Sequence, residues 1–296
     1  MSMWRHICAV VTPFMKIKGE NVIDYDSLGE HLAWLESKGV DAVVIAGTTG
    51  ESATLSFEEH EELLRQAVKL TPLSVIAGAG GNSTAEAIHL TKCAEKDGVA
   101  AVLSVVPYYN KPNQEGLRQH FGAICRVTSL PVILYNVPGR TVVSLKPETT
   151  LRIREENGNC AGIKEASSDL KTVEIYVENN FPVWCGEDAM NFPMLCLGAR
   201  GVISVVSNFA PIAISGLISC FPEDGKKVNL ALARKWHAEV SRYAEAAFID
   251  TNPIPTKAIL AKMSFCKNIL RLPLVPLDAE KSQKVYKALR VVGRLA

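Results

Sequence analysis

The chain has 296 residues, and 48% of them are hydrophobic, which supports a large core and excludes a disordered chain. Its 32 lysines and arginines balance 31 aspartates and glutamates, so its charge gives no reason to expect a nucleic-acid or membrane-surface partner. The first residues lack the apolar stretch of a secretory signal, and no run of about 18 uncharged apolar residues predicts a membrane span. The eight cysteines show no C-x-x-C spacing and mostly lie in apolar runs, so we expect free, buried thiols and a cytoplasmic setting.

Short apolar runs rich in β-branched residues recur along the chain and predict strands that are buried on both faces. These runs are residues 7–11, 42–46, 74–77, 100–106, 132–135, 162–164, 183–185 and 201–206. Segments with helical spacing separate them, and residues 56–70 open with the capping-box pattern Ser-Phe-Glu-Glu. An open doubly wound sheet and a closed barrel both fit this alternation. Eight repeats over about 220 residues favour the (β/α)8 TIM barrel.

The strand runs stop near Pro211, and residues 225–248 and 255–262 have helical patterns. We therefore expect a catalytic barrel over residues 1–224 and a small C-terminal helical extension over residues 225–296. No Gly/Ser-rich linker separates the two parts, so the extension should pack on the barrel.

A lysine closes the sixth apolar run, in the sequence Gly-Ile-Lys164-Glu. The chemistry of such barrels lies at the C-terminal ends of the strands, and burial of a lysine favours the neutral amine that attacks ketones. The alternative is a lysine that reaches solvent or pairs with a carboxylate. Lys257 is the rival lysine, but it lies on a predicted helix outside the barrel, so we assign it a structural role.

Hydroxyl groups and one arginine follow other predicted strands. Thr48 and Thr49 stand between glycines, where hydroxyl and backbone N–H groups could hold a carboxylate, although a turn without a ligand is the alternative. Tyr109 in PYYN (107–110) and Tyr135 could move protons, or they could simply pack as aromatic residues. Arg140 could bind a carboxylate with two hydrogen bonds, or it could be a solvated surface charge.

Several common motifs are missing from the sequence. Residues 78–81 (GAGG) predict a tight turn and not a dinucleotide site, and neither a Walker A loop nor a G-x-S-x-G elbow occurs. The six histidines are scattered without H-E-x-x-H, so we expect no metal site, with His60 and Glu61 facing water. Asp188, after the seventh run, either lines a pocket or caps a helix.

Six short motifs occur together in one order: GTTGES (47–52), PYYN (107–110), YNVPGR (135–140), GIKEA (162–166), GVISV (201–205) and NPIPTK (252–257). Over nearly the whole chain, this pattern resembles the dihydrodipicolinate synthase / N-acetylneuraminate lyase family of class I aldolases. Within that family it is most similar to the synthases, which join pyruvate to L-aspartate 4-semialdehyde in lysine and diaminopimelate biosynthesis. The sialic-acid lyases usually carry Ser-Thr at positions 48–49 and lack an arginine at position 140.

The resemblance implies roles for several of these residues. Lys164 would form a Schiff base with pyruvate, while Thr48, Tyr135 and Tyr109 would relay protons. Tyr109 would reach in from a neighbouring subunit of a homotetramer built as a dimer of dimers.

The resemblance also implies how the substrates are bound. Thr49 would bind the pyruvate carboxylate, Arg140 would bind the semialdehyde carboxylate, and the backbone carbonyl of Ile203 would face the pocket. No metal or organic cofactor would be required.

Many enzymes of this family bind lysine as an inhibitor at a subunit interface. The residues that match that site here are Ser52, Ala53, His60, Asn82, Glu86 and Tyr108. Phe57 departs from the pattern, which has histidine or tryptophan there, although an aromatic ring can still pack on the lysine stem. The implied regulation is weak to moderate lysine inhibition.

Two other functions stay open at this point. One is a pyruvate aldolase of the same family that acts on 2-keto-3-deoxy sugar acids, and the other is a non-catalytic barrel that binds a keto acid. A third alternative, an open-sheet nucleotide binder, requires a phosphate loop that the sequence does not contain.

Overall fold

The computed structural model describes residues 4–223 and 226–290. The strands of this part of the chain are His6–Ala9 (β1), Phe14–Ile17 (β2), Glu20–Ile23 (β3), Ala42–Ile45 (β4), Ser74–Gly78 (β5), Ala101–Val105 (β6), Val132–Asn136 (β7), Cys160–Glu165 (β8), Val183–Cys185 (β9) and Gly201–Ser204 (β10). Eight of them pair in parallel and close into a barrel in the order β1, β10, β9, β8, β7, β6, β5, β4. The predicted TIM barrel is confirmed.

Helices follow the barrel strands and surround them. They are Tyr25–Ser37 (α1), Phe57–Leu70 (α2), Thr84–Lys96 (α3), Gln114–Cys125 (α4), Pro138–Thr141 (α5), Pro147–Glu156 (α6), Leu170–Glu178 (α7), Asn191–Leu197 (α8), Pro211–Ser219 (α9), Leu230–Ala247 (α10), Ile254–Lys262 (α11) and Ala279–Arg290 (α12). The capping box predicted for α2 is present: the Ser56 side chain accepts from the Glu59 N–H, and the Glu59 carboxylate accepts from the Ser56 N–H.

The barrel strands are apolar on both faces because each face meets a different core. In β4, Ala42 and Val44 belong to the core inside the barrel, whereas Val43 and Ile45 belong to the core between strands and helices. Side chains alternate along a strand, so the two layers require a continuous apolar run. This explains why the eight runs were recognisable in the sequence.

The C-terminal helices pack on the barrel, as the missing linker predicts. Helix α10 contacts α8 and α9, and α12 contacts α10 and α11. The helix predicted from residue 225 begins at Leu230, because the Asn229 side chain accepts from the Leu232 N–H and caps it. The predicted boundary at residues 224 and 225 lies outside the described residues.

The hairpin has no counterpart among the predictions. Strands β2 and β3 form an antiparallel pair that buries Phe14 completely, and neither is a long apolar run, which is why the sequence pattern did not reveal them. Helix α12 lies within the helical extension expected over residues 225–296, although no separate helical pattern was identified for it. Among the helices that the structure describes, none has the length and apolar character needed to cross a membrane.

Candidate active site

A cavity of about 450 Å³ opens at the C-terminal ends of the barrel strands. The predicted residues Thr48, Thr49, Tyr135, Arg140 and Lys164 all line it. They come from three separate segments of the chain, which the parallel barrel brings to one end. The structure therefore places five of the predicted site residues in one space.

Lys164 and Tyr135 are direct neighbours within this cavity. They occupy paired positions on β8 and β7, and both side chains are buried. The Lys164 Nζ atom lies 4.2 Å from the centre of the Tyr135 ring. The electron-rich face of the ring attracts an ammonium group, and the phenol oxygen on its edge can exchange protons nearby.

Space for the Lys164 side chain depends on Gly186, the residue after β9. A Cβ atom at this position would lie 2.8 Å from Lys164 Cε and 2.9 Å from Lys164 Cγ. Such contacts are too short for any side chain, so glycine allows the lysine stem to pass.

Two acidic residues near Lys164 have different surroundings. The Glu187 carboxylate lines the cavity. Its burial raises its pKa, and the charge of the neighbouring Asp188 raises it further. Glu165 is buried, which raises its pKa, and it accepts hydrogen bonds from the Asn136 side chain at 3.0 and 3.1 Å. Glu165 therefore connects strands β7 and β8, while Glu187 is in contact with the cavity.

Asp188 is a structural residue of the barrel end. Its side chain does not cap a helix, and the structure corrects that alternative. The buried carboxylate accepts from the Val205 and Val206 N–H groups at 2.8 and 2.9 Å and from Asn191 at 3.0 Å. It joins the residues after β9 to those after β10 and does not line the cavity wall.

The threonine loop after β4 is held from several sides. Thr12 donates a hydrogen bond to the Gly50 carbonyl at 2.7 Å, and the Ser52 N–H bonds to the Gly47 carbonyl at 3.3 Å. Thr49 is buried, and its hydroxyl accepts from the Asn252 side chain at 2.9 Å. The loop is therefore preorganised before any substrate binds.

Arg140 stands on the short helix α5 at the rim of the cavity and is exposed. Its Nη2 donates to the backbone carbonyl of Asn252 at 3.1 Å. Asn252 thus contacts both Thr49 and Arg140, and together with Phe248 and Thr251 it lines the cavity. The motif NPIPTK includes Asn252, but nothing in the C-terminal segment indicates which loop it meets in space, so sequence reasoning did not place these three residues in the cavity.

Lys257 is also held in place by partners far away in the sequence. It is fully buried on α11 and forms an ion pair with Glu51, and its Nζ donates to the Ile269 carbonyl at 2.8 Å. Burial lowers the pKa of Lys257, and the Glu51 carboxylate opposes that shift. Since Lys257 does not line the cavity, its surroundings agree with the structural role expected for it.

Two predicted residues do not line the cavity in this single chain. Tyr109 is 87% exposed, and its backbone adopts a left-handed conformation with φ of +75°. A bulky residue rarely takes this conformation, so the turn presents Tyr109 outward under local strain. Ile203 is fully buried in the core inside the barrel.

A second cavity of about 760 Å³ shares a wall with the first. Five of the six residues predicted for a lysine site line it: Ser52, Ala53, His60, Glu86 and Tyr108. Phe57 lines it as well, whereas Asn82 does not, although its carbonyl accepts from Asn110 at 2.8 Å. The two cavities share Thr48 and Arg140, so a ligand in one can influence the other.

The expectation that His60 faces water is wrong. The ring is buried, and its Nε2 donates to the Gly78 carbonyl at the end of β5 over 2.7 Å. Burial lowers the pKa of this ring. A helix face that turns toward a strand end can bury a histidine in this way, and helical spacing alone does not reveal it.

The model of the Dihydrodipicolinate synthetase family matches residues 2–292 of the chain. The chain belongs to the dihydrodipicolinate synthetase family. The 4-hydroxy-tetrahydrodipicolinate synthase of Archaeoglobus fulgidus is 45% identical to it over 287 residues, which are 96% of each chain. The synthase of Methanocaldococcus jannaschii is 41% identical over 288 residues, or 96% of this chain and 97% of that one. The resemblance drawn from the motifs is thereby confirmed.

Solved structures of the dihydrodipicolinate synthetase family show the same fold. The dihydrodipicolinate synthase of Thermotoga maritima superposes with a TM-score of 0.93 at 40% identity over 100% of both chains. The synthase of Cyanidioschyzon merolae, solved with lysine bound, gives a TM-score of 0.93 at 40% identity over 99% of both chains.

Proposed function

We propose that this protein is a lyase that condenses pyruvate with L-aspartate 4-semialdehyde through a Schiff base on Lys164. The product is 4-hydroxy-tetrahydrodipicolinate, a precursor in lysine and diaminopimelate biosynthesis. The observation that carries the proposal is a buried lysine amine against the Tyr135 ring at the end of the barrel. Identity of 45% to a synthase of this name over 96% of the chain supports the choice of reaction.

The proposed chemistry begins at the Lys164 amine. Its neutral form attacks the ketone carbon of pyruvate, and loss of water leaves a protonated imine. The imine accepts an electron pair when a methyl proton is removed, and the resulting enamine carbon attacks the aldehyde carbon of the second substrate. Attack of the second substrate's amino group on the imine carbon then closes the ring and releases Lys164.

These steps move protons to and from oxygen, nitrogen and carbon, so hydroxyl groups are needed beside Lys164. We assign this relay to Tyr135 and Thr48, which line the same cavity, and to Tyr109 of a neighbouring subunit. The exposure of Tyr109 and its left-handed backbone support a residue that points toward another chain. The proposed assembly is a homotetramer composed of two dimers.

We assign substrate binding to groups that line the cavity or lie beside it. Thr49, held by Asn252, binds the pyruvate carboxylate, and Arg140 at the rim binds the carboxylate of the semialdehyde. The backbone carbonyl of Ile203 is assigned to the pocket floor below Val205, which lines the cavity.

We further propose that L-lysine binds in the second cavity as a weak to moderate inhibitor. Glu86 can pair with an ammonium group, and the exposed Phe57 ring can pack on the lysine stem. Asn82 stands outside the cavity wall and contributes only if it moves. Unchanged initial rates in the presence of millimolar lysine would eliminate this site.

A cytoplasmic location is part of the same proposal. All eight cysteines are free, and six of them are buried, which suits a reducing compartment.

The aldehyde partner is tested by comparing substrates. With pyruvate fixed, L-aspartate 4-semialdehyde should react with a much higher kcat/KM than glyceraldehyde, which stands for the sugar-acid aldolases. Arg140→Ala should raise the KM for the semialdehyde by roughly tenfold or more, because a carboxylate loses a bidentate partner, with little change in the KM for pyruvate. Preference for glyceraldehyde, or an Arg140→Ala variant with both KM values unchanged, would rule out the semialdehyde assignment.

A further inference from the structure

A cluster of three metal-ligating side chains lies on the outer helices of the barrel and lines neither of the two cavities described above. Glu61 projects from α2, while His89 and Cys93 stand one helical turn apart on α3. Helices α2 and α3 pack against each other, which brings the three side chains together. One ligand atom from each residue lies within 4.8 Å of the other two.

The spacing of the three atoms suits a zinc ion. The Cys93 sulfur lies 3.0 Å from Glu61 Oε1 and 3.8 Å from His89 Nε2, and His89 Nε2 lies 3.3 Å from Glu61 Oε1. Zinc bonds of about 2.0 Å to nitrogen and oxygen and about 2.3 Å to sulfur place tetrahedral ligands roughly 3.3–3.6 Å apart. Movements of about half an ångström by surface side chains would bring all three into that geometry.

The carboxylate ligand and the exposure of the cluster suit a cation. The Glu61 carboxylate lies 3.0 Å from the Cys93 sulfur, whereas the nearby Asp97 carboxylate is already paired with Arg65 at 3.3 Å. The His89 side chain is 53% exposed, which leaves room for water in a fourth position. The edge of the Phe57 ring meets the His89 ring at a centroid distance of 5.6 Å and limits its rotation.

We propose that Glu61, His89 and Cys93 bind one divalent cation of the zinc class, with water as the fourth ligand. The nitrogen, sulfur and carboxylate donors match the ligand types of zinc. In the metal-free protein the Cys93 thiol donates its hydrogen to Glu61; on binding, the thiol loses this proton to solvent as the sulfur–metal bond forms. The ion would tie α2 to α3 beside Phe57, which also forms part of the wall of the second cavity.

This proposal departs from our expectation of no metal site from the sequence. The pair His89-x-x-x-Cys93 is visible there, but the third ligand comes from another helix. The inference does not depend on the proposed reaction, since its test measures binding and not turnover.

The test is titration of tag-free protein with Zn²⁺ against a chromophoric chelator, together with Co²⁺ absorption spectra. We expect one Zn²⁺ per chain and a thiolate-to-cobalt charge-transfer band. Cys93→Ser should abolish the band, and Cys93→Ser and His89→Ala should each weaken Zn²⁺ binding by about tenfold or more. Cys196→Ser, which removes an exposed thiol on α8, is the matched control and should leave both signals unchanged.

Circular dichroism of the metal-free variants checks that each is folded, as expected for changes at a surface. Absence of a saturable site of one ion per chain would overturn the proposal. A loss smaller than tenfold in either ligand variant, or an equal loss in Cys196→Ser, would overturn it as well.

Discussion

Lys164 is placed by its neighbours on two adjacent strands. Tyr135 lies beside it on β7, and Gly186 after β9 leaves the space through which its stem passes. The amine therefore has one defined position within the cavity, which is what nucleophilic attack at a ketone requires.

Replacement of Gly186 by alanine should misplace this amine. The added methyl group would meet Lys164 Cγ and Cε below 3.0 Å, so the lysine stem must move. Because a displacement of about 1 Å can reduce activity by 10²-fold, we expect kcat/KM to fall by about that factor. Steady-state kinetics of Gly186→Ala checks this prediction.

Gly158→Ala is the matched control for the same substitution. No heavy atom lies within 4 Å of a Cβ built at Gly158, which is exposed, so its kinetics should stay unchanged. If Gly186→Ala retains full kcat/KM, the space at that position is not what fixes Lys164.

At the residue scale, the sequence reveals residues at strand ends. It misses residues whose role depends on contacts with distant parts of the chain. Lys164, Tyr135 and Thr48 follow apolar runs, so their common location was predictable from the barrel. Asn252 and Gly186 depend on contacts between distant segments, and no local pattern encodes such contacts. His60 was mistaken for a solvent-facing residue for the same reason.

At the scale of elements, the C-terminal segment supports the loop that carries Thr48 and Thr49. Lys257 on α11 pairs with Glu51 at the end of this loop, and the Arg271 N–H donates to the second Glu51 oxygen at 3.0 Å. The Phe14 ring from the hairpin lies 4.0 Å from Lys257 Nζ. Hairpin, loop and extension therefore meet at one buried ion pair.

Removal of the Lys257 charge should destabilise the protein strongly. Lys257→Met would leave the Glu51 carboxylate buried without its cation, and breaking such a pair typically lowers the free energy of unfolding by about 3–5 kcal/mol. Urea unfolding measures the change. The double variant Glu51→Gln with Lys257→Met should recover much of the loss, because no unpaired charge is left behind.

If the free energy of unfolding of Lys257→Met stays within about 1 kcal/mol of that of the original protein, the ion pair does not hold the C-terminal segment in place. A double variant that is no more stable than Lys257→Met would assign the loss to packing around the lysine stem and not to charge.

The elements themselves were predictable to different degrees. The barrel strands were found because two apolar cores enforce continuous runs, and α2 because of its capping box. The hairpin of β2 and β3 was not found, because both strands are partly exposed and so do not form continuous apolar runs. The ion pair of Lys257 with Glu51 joins residues 206 positions apart and has no local signal.

At the scale of the whole molecule, buried histidines link stability to pH. Burial lowers the pKa of His6, His31 and His120 to about 4 from an ordinary value of 6.5. A pKa lowered by folding means that the folded state favours the neutral ring. The stability that these rings contribute is present above pH 6.5 and is lost as the pH falls toward 4.

We therefore expect the free energy of unfolding to decrease between pH 6.5 and pH 4. For a fully buried ring such as His31, the shift in pKa corresponds to a change of about 3 kcal/mol in the free energy of unfolding. Urea unfolding across this range measures it, and His31→Gln should reduce the slope, since glutamine can still donate to the Asn208 carbonyl but does not titrate. Equal slopes for both proteins would remove His31 from the pH dependence.

The closed barrel itself was only one of two architectures that the alternation of strands and helices allowed. Pairing of β1 with both β4 and β10 closes the sheet and distinguishes the barrel from an open sheet. That closure is a contact between the two ends of the barrel sequence, and the number of repeats predicted it only indirectly.

The central claim is that Lys164 carries the covalent chemistry, and trapping the imine tests it most directly. The protein is incubated with pyruvate and sodium borohydride, and the adduct is located by peptide mass spectrometry. We expect a reduced pyruvyl adduct on Lys164 alone, since its amine faces the cavity and Lys257 is held in an ion pair. No adduct, or an adduct on Lys257 instead, would contradict the assignment of Lys164 as the nucleophile.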